Sequence, residues 1–438
     1  MSIKQINKIQ MMYGLSQLWH ELKISSPFVS REKINLDEEY FNILNKIDMI
    51  NNDIEYYLEL MRLASLVNDD HTGVYFPDYL LKEMGDFPIA LTSYTNKIYI
   101  FAREKGSNIT LGSEVIEINN IPINEYLDKF IFPYCWHYSN EKAIYYFNYL
   151  IPAVEYGKKI KIKTIDGEYE LSAKQGNIEW EYLNKNLSFC EKLKMVYKPE
   201  SKSFSLYETS DNIGIIFVKT CMNNSLGKDF YNNMTSLKKY RGFIIDVRGN
   251  SGGNSQNIEY ITQTFINGPF KQPNTKYKVH IGAYKAMGNF CDLTKLNLCN
   301  PDEKKLYEVC NDIYFEEDNG EKNIKECPFV IDKPLVILQD RYSTSATESL
   351  LIEIDYAKRG VLVGENSHGS TGTPLMINLP GGGMARVCTA WVTYPDGKEF
   401  LNTGVQPHIY ISPTIDDIKN GEDVIMKKGL EELRKLIY

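Results

Sequence analysis

The stretch Pro334-Leu335-Val336-Ile337-Leu338-Gln339-Asp340-Arg341-Tyr342-Ser343-Thr344-Ser345-Ala346-Thr347-Glu348 decides how this chain is read. Its first five residues are an apolar run of strand length. The residues after Ala346 form a helix-like run that ends near Lys358. The pattern predicts a buried strand that turns directly into a helix, with Ser345 at the turn. A serine there has its hydroxyl at a strand edge, in line with the positive end of the helix dipole. Neighbouring backbone N–H groups are available to an oxyanion. Ser345 is therefore the candidate nucleophile, and the Ala346 N–H a candidate oxyanion donor.

Working outward, the same strand-to-helix grammar recurs. Ile213–Val218, Gly242–Val247 and Val361–Gly364 are continuous apolar runs separated by helical segments. Such strands predict a sheet with much parallel character, covered on both faces. After the second run comes Asp246-Val247-Arg248-Gly249-Asn250-Ser251-Gly252-Gly253-Asn254, a glycine-rich turn before a helix expected near Gln256. Glycines let backbone N–H groups approach a ligand without Cβ interference. The turn carries no Gly-Lys-Ser/Thr and lacks dinucleotide spacing, so a phosphate cradle is disfavoured. Gly252 and Gly253 are the other candidate oxyanion donors. Asp246 and Arg248 are expected to brace this turn, and Glu348 to cap the helix after Ser345.

Upstream the pattern differs. Residues 1–75 read as helical, with Ile6, Ile9, Leu15, Leu18 and Leu22 at helical spacing and a polar stop at Asn68-Asp69-Asp70-His71-Thr72-Gly73. From about 86 to 180 the chain reads as β-rich: Lys97–Phe101 and Lys159–Lys163 alternate like half-buried strands. Residues 270–330, rich in Lys, Asn, Asp and Glu, interrupt the later strand-helix pattern and are expected to form an insertion or lid.

At 438 residues with 43% hydrophobic and 24% charged side chains, the chain predicts a globular protein of several domains. A net charge of −8, with no basic run, argues against nucleic acid or an anionic membrane as partner. No apolar window reaches the length of about 18 residues that a membrane span needs. The N-terminus lacks a leader-type apolar region, so a cytoplasmic location is expected. Eight cysteines at wide spacing, four of them Cys291, Cys299, Cys310 and Cys327, predict free thiols; no metal or cofactor motif is present. A homo-oligomer is left open.

A serine nucleophile needs a base that titrates near neutrality, usually histidine. The six are His20, His71, His137, His280, His368 and His408. Of these, His71 and His368 lie in motif-like polar clusters.

Taken together these segments resemble the C-terminal processing (tail-specific) serine protease family. Asp246–Gly253 resembles its "D-L-R-x-N-x-G-G" motif. Ser343-Thr344-Ser345-Ala346-Thr347-Glu348 resembles "S-A-S-A-S-E", with the nucleophile on Ser345. Gly364-Glu365-Asn366-Ser367 resembles "G-E-x-T", and Gly404-Val405-Gln406-Pro407 resembles "G-V-x-P-D" with His408 in the aspartate position. Gly112–Ile123 resembles the "G-D-x-I-x-x-I-N-G-x-P-V" run of PDZ domains, with Asn119-Asn120 at a tight turn. The resemblance spans roughly residues 35–412. It implies an α+β / α/β multidomain fold: an N-terminal helical bundle (1–80), a PDZ-like β domain (86–185), and a crotonase/ClpP-like ββα protease core (200–415) carrying the 270–330 insertion. A C-terminal helical tail (416–438) follows.

One departure matters. Where the bacterial processing proteases carry a lysine base, this chain has Ser370. The resemblance then points to the tricorn-core-like branch, whose base is a histidine in a "D-x-H-T"-like run; His71 matches that position, and His368 is the alternative. The same branch implies an acid near the "G-V-x-P" ending, for which Glu399 is the choice and Asp396 the competitor, the latter also readable as an exposed Asp-Gly turn. The implied function is a serine endopeptidase acting on peptide or protein substrates through an acyl-enzyme, with oxyanion donors at Gly252, Gly253 and Ala346. The competing expectation is a catalytically inactive protein that binds a peptide or hydrophobic ligand on the same scaffold.

Overall fold

The computed structural model describes residues 5–31, 33–135, 140–157, 159–183, 192–266, 268–279, 282–318, 320–322 and 330–438. His137, His280 and Cys327 lie outside the described residues. The chain forms two compact units. One comprises 1–182, 276–317 and 372–391; the other comprises 183–275, 318–371 and 392–438.

The first unit opens with helices Lys8–Ser25, Leu36–Lys46 and Asp53–Ser65. Each starts where an asparagine side chain accepts an otherwise orphaned N–H: Asn7 from Gln10, Asn35 from Glu38, Asn52 from Glu55. Leu15, Leu18 and Leu22 are fully buried along one stripe, as their spacing predicts, and Met11 joins them; Ile9, expected on the same stripe, instead faces solvent at 75% exposure because it lies off the buried face of the helix. Asp53, also fully buried, accepts the main-chain N–H of Gln5 at 2.7 Å and of Ile6 at 3.3 Å, and the Tyr79 hydroxyl at 2.7 Å.

Two small antiparallel systems follow. Ile89–Tyr94 pairs with Lys97–Glu104 around Thr95-Asn96, and Val115–Ile118 pairs with Ile121–Pro122 around Asn119-Asn120. All four turn residues have positive φ, the geometry of tight two-residue hairpins that asparagine tolerates. Later in the chain, Pro374–Asn378 and Met384–Cys388 form a hairpin that pairs with Gly73–Tyr75, the strand that directly follows His71. The segment Lys276–Glu317, inside the expected insertion, belongs to this first unit.

The second unit is built on a seven-stranded sheet. Its spatial order is Ile409–Tyr410, Val361–Gly364, Leu335–Gln339, Gly242–Asp246, Ile213–Phe217, Ser205–Glu208 and Lys194–Tyr197. The first five are mutually parallel; Ser205–Glu208 then pairs antiparallel to Ile213–Phe217, and Lys194–Tyr197 antiparallel to Ser205–Glu208. Strands 213–217, 242–246 and 335–339 are buried at every position, which is why their sequences are apolar up to the polar residues Asp246 and Gln339 that end the last two. One face packs on helix Val424–Ile437, where Met426, Leu430 and Leu433 close over Ile244, Val336 and Leu338. The other face meets the helices that follow the two motif turns, with Phe243 edge-on to Phe265 at 5.4 Å.

Among the described residues no helix is long and apolar enough to cross a membrane. Nor is any group of three or more His, Cys, Asp or Glu placed to hold a metal.

Candidate active site

The loops that carry the motifs leave the carboxyl ends of adjacent parallel strands: Asp246 ends one, Gln339 the next, Gly364 the third. In open parallel sheets this edge is where ligands bind, because helix N-termini and loop amides gather there.

Ser345 sits at the N-terminus of helix Ala346–Tyr356 with φ 60° and ψ −122°. Positive φ is unusual for a residue with a β-carbon and costs about 1–3 kcal/mol. The strain is held by bonds on both sides. The Ser345 N–H faces the Ser370 carbonyl at 2.9 Å and Glu348 Oε2 at 3.1 Å; the Ser343 N–H donates to Asp340 O at 3.0 Å. Ser345 is half-buried.

Glu348 does more than cap the helix. Its carboxylate is fully buried and takes five hydrogen bonds. Oε2 accepts from Ser345 N, Ser370 N at 3.0 Å and Thr371 Oγ1 at 2.9 Å; Oε1 accepts from Ser367 Oγ at 2.6 Å and Gly369 N at 2.5 Å. Burial pushes the carboxyl above its ordinary range, and the hydroxyl and amide donors pull it back. Three of the five partners are main-chain N–H groups that can only donate, so the ionised carboxylate is the form that fits. This acid therefore sews the Ser345 turn to the 367–371 segment.

The glycine turn lies against the serine. Gly252 has φ 85° and Gly253 φ 140°. A β-carbon on Gly252 would meet Ala346 N at 3.0 Å, and one on Gly253 would meet Met222 N at 2.4 Å. The two amides differ. The Gly252 N–H donates to Asn250 Oδ1 at 3.0 Å and is therefore already engaged. The N–H groups of Gly253 and Ala346 have no protein acceptor among the described residues. Thus Ser345, Ala346, Gly252 and Gly253 are brought together within one unit, and of the two glycines Gly253 has the available donor.

Two polar residues of these turns escaped the sequence reading. Asn250, fully buried, and Asp340 tie the glycine turn to the nucleophile turn. Asp340 Oδ1 accepts from Gly249 N and Tyr342 N, both at 3.0 Å. Asn250 stands on the asparagine of the "D-L-R-x-N-x-G-G" motif, which was its signal, whereas Asp340 had only its place ahead of the serine turn. Arg248 braces the turn as expected, with bidentate bonds to Asp246 (3.0 and 2.7 Å) and to Asp423 (2.6 and 2.9 Å).

His368 donates its main-chain N–H to Ser343 O at 2.9 Å, and its ring Nδ1 lies 3.2 Å from the Arg341 carbonyl. Asp396 and Glu399 are exposed. Asp396 Oδ1 accepts the Lys398 N–H inside a turn closed by Tyr394 N to Lys398 O at 3.0 Å, which is the Asp-Gly turn geometry.

His71 belongs to the other unit, where it is 8% exposed on the turn before Gly73–Tyr75. Its neighbours are fixed. Thr72 Oγ1 donates to Asp69 Oδ2 at 2.7 Å and accepts from Cys388 N at 3.1 Å, and Arg386 Nη2 donates to Asp70 O at 2.5 Å. Gly372 lies beneath: a β-carbon there would be 3.7 Å from His71 Cβ and 2.2 Å from Cys388 Sγ, so no side chain fits. Asp69 is buried deeply enough that its carboxyl is pushed up to about 6, the Thr72 hydroxyl opposing.

A strained serine on a helix N-terminus, beside a glycine turn with an open amide, is the arrangement of a serine hydrolase. Comparison with known proteins narrows the class. Residues 212–411 match the model of Peptidase family S41. A carboxy-terminal-processing protease of Bartonella bacilliformis is 28% identical over 196 residues, 45% of this chain and 36% of the relative. The matched part thus spans little more than a third of that relative's length. Mature CPAF has a similar fold, with TM-score 0.68 and 14% identity over 98% of each chain. A putative peptidase from Parabacteroides merdae has TM-score 0.55 and 15% identity, covering 98% of this chain and 97% of its own. The chain therefore has a mixed α+β fold of the CPAF kind, and the match over residues 212–411 supports a serine peptidase.

Proposed function

We propose that this chain is a serine endopeptidase with Ser345 as nucleophile and His71 as general base. The observation that carries the reading is Ser345 itself, a non-glycine residue held at positive φ on a helix N-terminus, with the unclaimed amide of Ala346 next to it and that of Gly253 in the glycine turn packed against it. His71 enters from its match to the "D-x-H-T"-like run and from Ser370 standing where a lysine base would be. Glu399 is the acid proposed to orient His71, on the same resemblance. The tricorn-core-like branch follows from these three assignments.

In this mechanism Ser345 Oγ attacks the carbonyl carbon of the scissile peptide while His71 takes the hydroxyl proton. The Gly253 and Ala346 N–H groups donate to the new oxyanion. Collapse breaks the C–N bond, and His71 passes its proton to the leaving amine. Water then attacks the acyl-enzyme, giving its proton to His71. The second collapse returns that proton to Ser345 and releases the carboxylic acid.

The layout proposed for the rest is a helical N-terminal part (1–80), a PDZ-like part (86–185) and a protease core (200–415). The Asn119-Asn120 hairpin supports the second of these, as does helix Asn140–Val154 lying along strand Ile89–Tyr94, where the Leu91 N–H donates to Asn148 Oδ1 at 3.4 Å.

A fluorophosphonate probe with intact-mass and peptide-mass analysis tests the reading. Stoichiometric labelling at Ser345, lost in Ser345→Ala and slowed by orders of magnitude in His71→Ala, is expected. Absence of labelling, under conditions where a control serine peptidase reacts fully, would sink it. Labelling that is unchanged in His71→Ala would remove His71 as the base and leave the nucleophile standing.

A further inference from the structure

We propose that Asn250 is a positioning residue that sets the oxyanion-binding amide, and that it does so as an amide side chain that must both accept and donate. The proposal rests on the serine-peptidase reading above.

Asn250 is 0% exposed, and its side chain is used on both ends. Oδ1 accepts the Gly252 N–H at 3.0 Å, and Nδ2 donates to the Val218 carbonyl at 3.0 Å. The first bond turns the Gly252 amide inward, onto its own loop. With Gly252 anchored in this way, a second bond sets the next amide. The Gly252 carbonyl accepts from Cys221 N at 2.9 Å. In a trans peptide the C=O and the following N–H point in opposite directions. The Gly253 N–H is therefore directed away from the Cys221 strand, and it has no protein acceptor among the described residues.

The backbone of the same residue holds the nucleophile. The Asn250 carbonyl accepts from Thr344 N at 3.0 Å and from Thr347 Oγ1 at 3.2 Å, one on each side of Ser345. One residue thus anchors the Gly252 end of the peptide that carries the Gly253 amide, whose direction the Cys221 bond completes, and the position of the turn whose oxyanion that amide would serve.

The chemistry selects an amide. A carboxylate would accept from Gly252 but repel the Val218 carbonyl. An aliphatic side chain would leave both groups buried and unpaired. Serine is too short to span them. The titratable group facing the Asn250 side chain is the Cys221 thiol, 3.5 Å from Nδ2. Burial holds that thiol above its ordinary range, so it is neutral and adds no charge.

The test uses the full chain, with a fluorophosphonate probe and a peptide substrate that the wild type cleaves. Asn250→Ala is expected to lower kcat and the labelling rate by about 10²–10³-fold, the effect of losing one oxyanion donor, with KM changed less than about threefold. Asn250→Asp supplies a readout that a merely structural role would not move. A buried aspartic acid that is protonated can accept from Gly252 and donate to Val218, as the amide does. The ratio of Asn250→Asp to wild-type activity, taken at each pH, should therefore rise as pH is lowered below neutral. If Asn250→Ala does not fold, this ratio decides alone. A folded Asn250→Ala with wild-type labelling, or an Asn250→Asp ratio flat with pH, overturns the proposal while leaving Ser345 intact. Failure of the wild type itself to label overturns the peptidase reading and this proposal with it.

Discussion

A β-carbon placed on Gly252 would lie 2.6 Å from the Cβ of Ser345 and 2.6 Å from the Thr344 carbonyl oxygen. The glycine and the serine are thus in direct steric register: the turn passes the nucleophile at a distance only a hydrogen tolerates. Gly252→Ala must push one turn off the other, and alanine at φ 85° adds about 1–2 kcal/mol of its own. Total destabilisation of about 2–4 kcal/mol is expected, with labelling at Ser345 lost. Gly249→Ala is the matched control, since φ is 69° there but nothing lies within 4 Å of its β-carbon. It should lose only the conformational term and keep its labelling. Denaturant melts and probe kinetics on both variants check the contrast.

Glu348→Ala strands donors from Ser345, Ser367, Gly369, Ser370 and Thr371 in a fully buried site. Removing a buried charged acceptor typically costs about 3–5 kcal/mol. Glu348→Gln restores the shape but turns an amide NH₂ toward main-chain N–H groups, so it should recover only part of that loss. A ranking of wild type above Gln above Ala in urea midpoint is the expected outcome. Equal midpoints would mean that the network is not made.

Asp69 gives a pH signature. Its folded carboxyl is raised from 3.8 to about 6, so the folded chain holds a proton that the unfolded chain has released. Its stabilising contribution is full below about pH 3.8 and is lost as pH rises through about 6. The whole effect is at most about 3 kcal/mol. Asp69→Asn keeps an acceptor for Thr72 and cannot titrate. Its stability relative to wild type should therefore rise between about pH 4 and about pH 6. Parallel stability-pH curves for the two proteins would contradict this.

Arg248→Met leaves Asp246 and Asp423 as buried, uncompensated carboxylates and should destabilise by about 3–5 kcal/mol. The triple variant Asp246→Asn, Arg248→Met, Asp423→Asn removes all three charges together. It should be milder than the single change, because no charge is stranded. Thermal melts of the two variants decide it.

The core strands were legible because burial on both faces writes itself as apolar sequence, in Leu335–Gln339 and Gly242–Asp246 up to the polar last residue. Ser345 was legible because an apolar run, a small polar turn and a helical run must be strand, elbow and helix. The direction of an amide is not written anywhere: Gly252 and Gly253 look alike as letters, and only the Asn250 side chain distinguishes them. Long-range pairing was equally silent. Nothing near His71 announces that the next strand, Gly73–Tyr75, lies beside Met384–Cys388, some 310 residues away. The helix Val424–Ile437 read as a tail because its apolar stripe names no partner, yet it closes one face of the sheet. Asp340 was missed for a related reason, since an aspartate before a turn has many ordinary uses.

The backbone of Ser345 has an evolutionary consequence. At φ 60° glycine would be the more comfortable residue, so drift under selection for folding alone would erode the serine toward Gly. A chain that keeps a hydroxyl there forgoes that relief in every generation. Laboratory selection for thermal tolerance, run without selection for activity, should accordingly recover Ser345→Gly among its early winners.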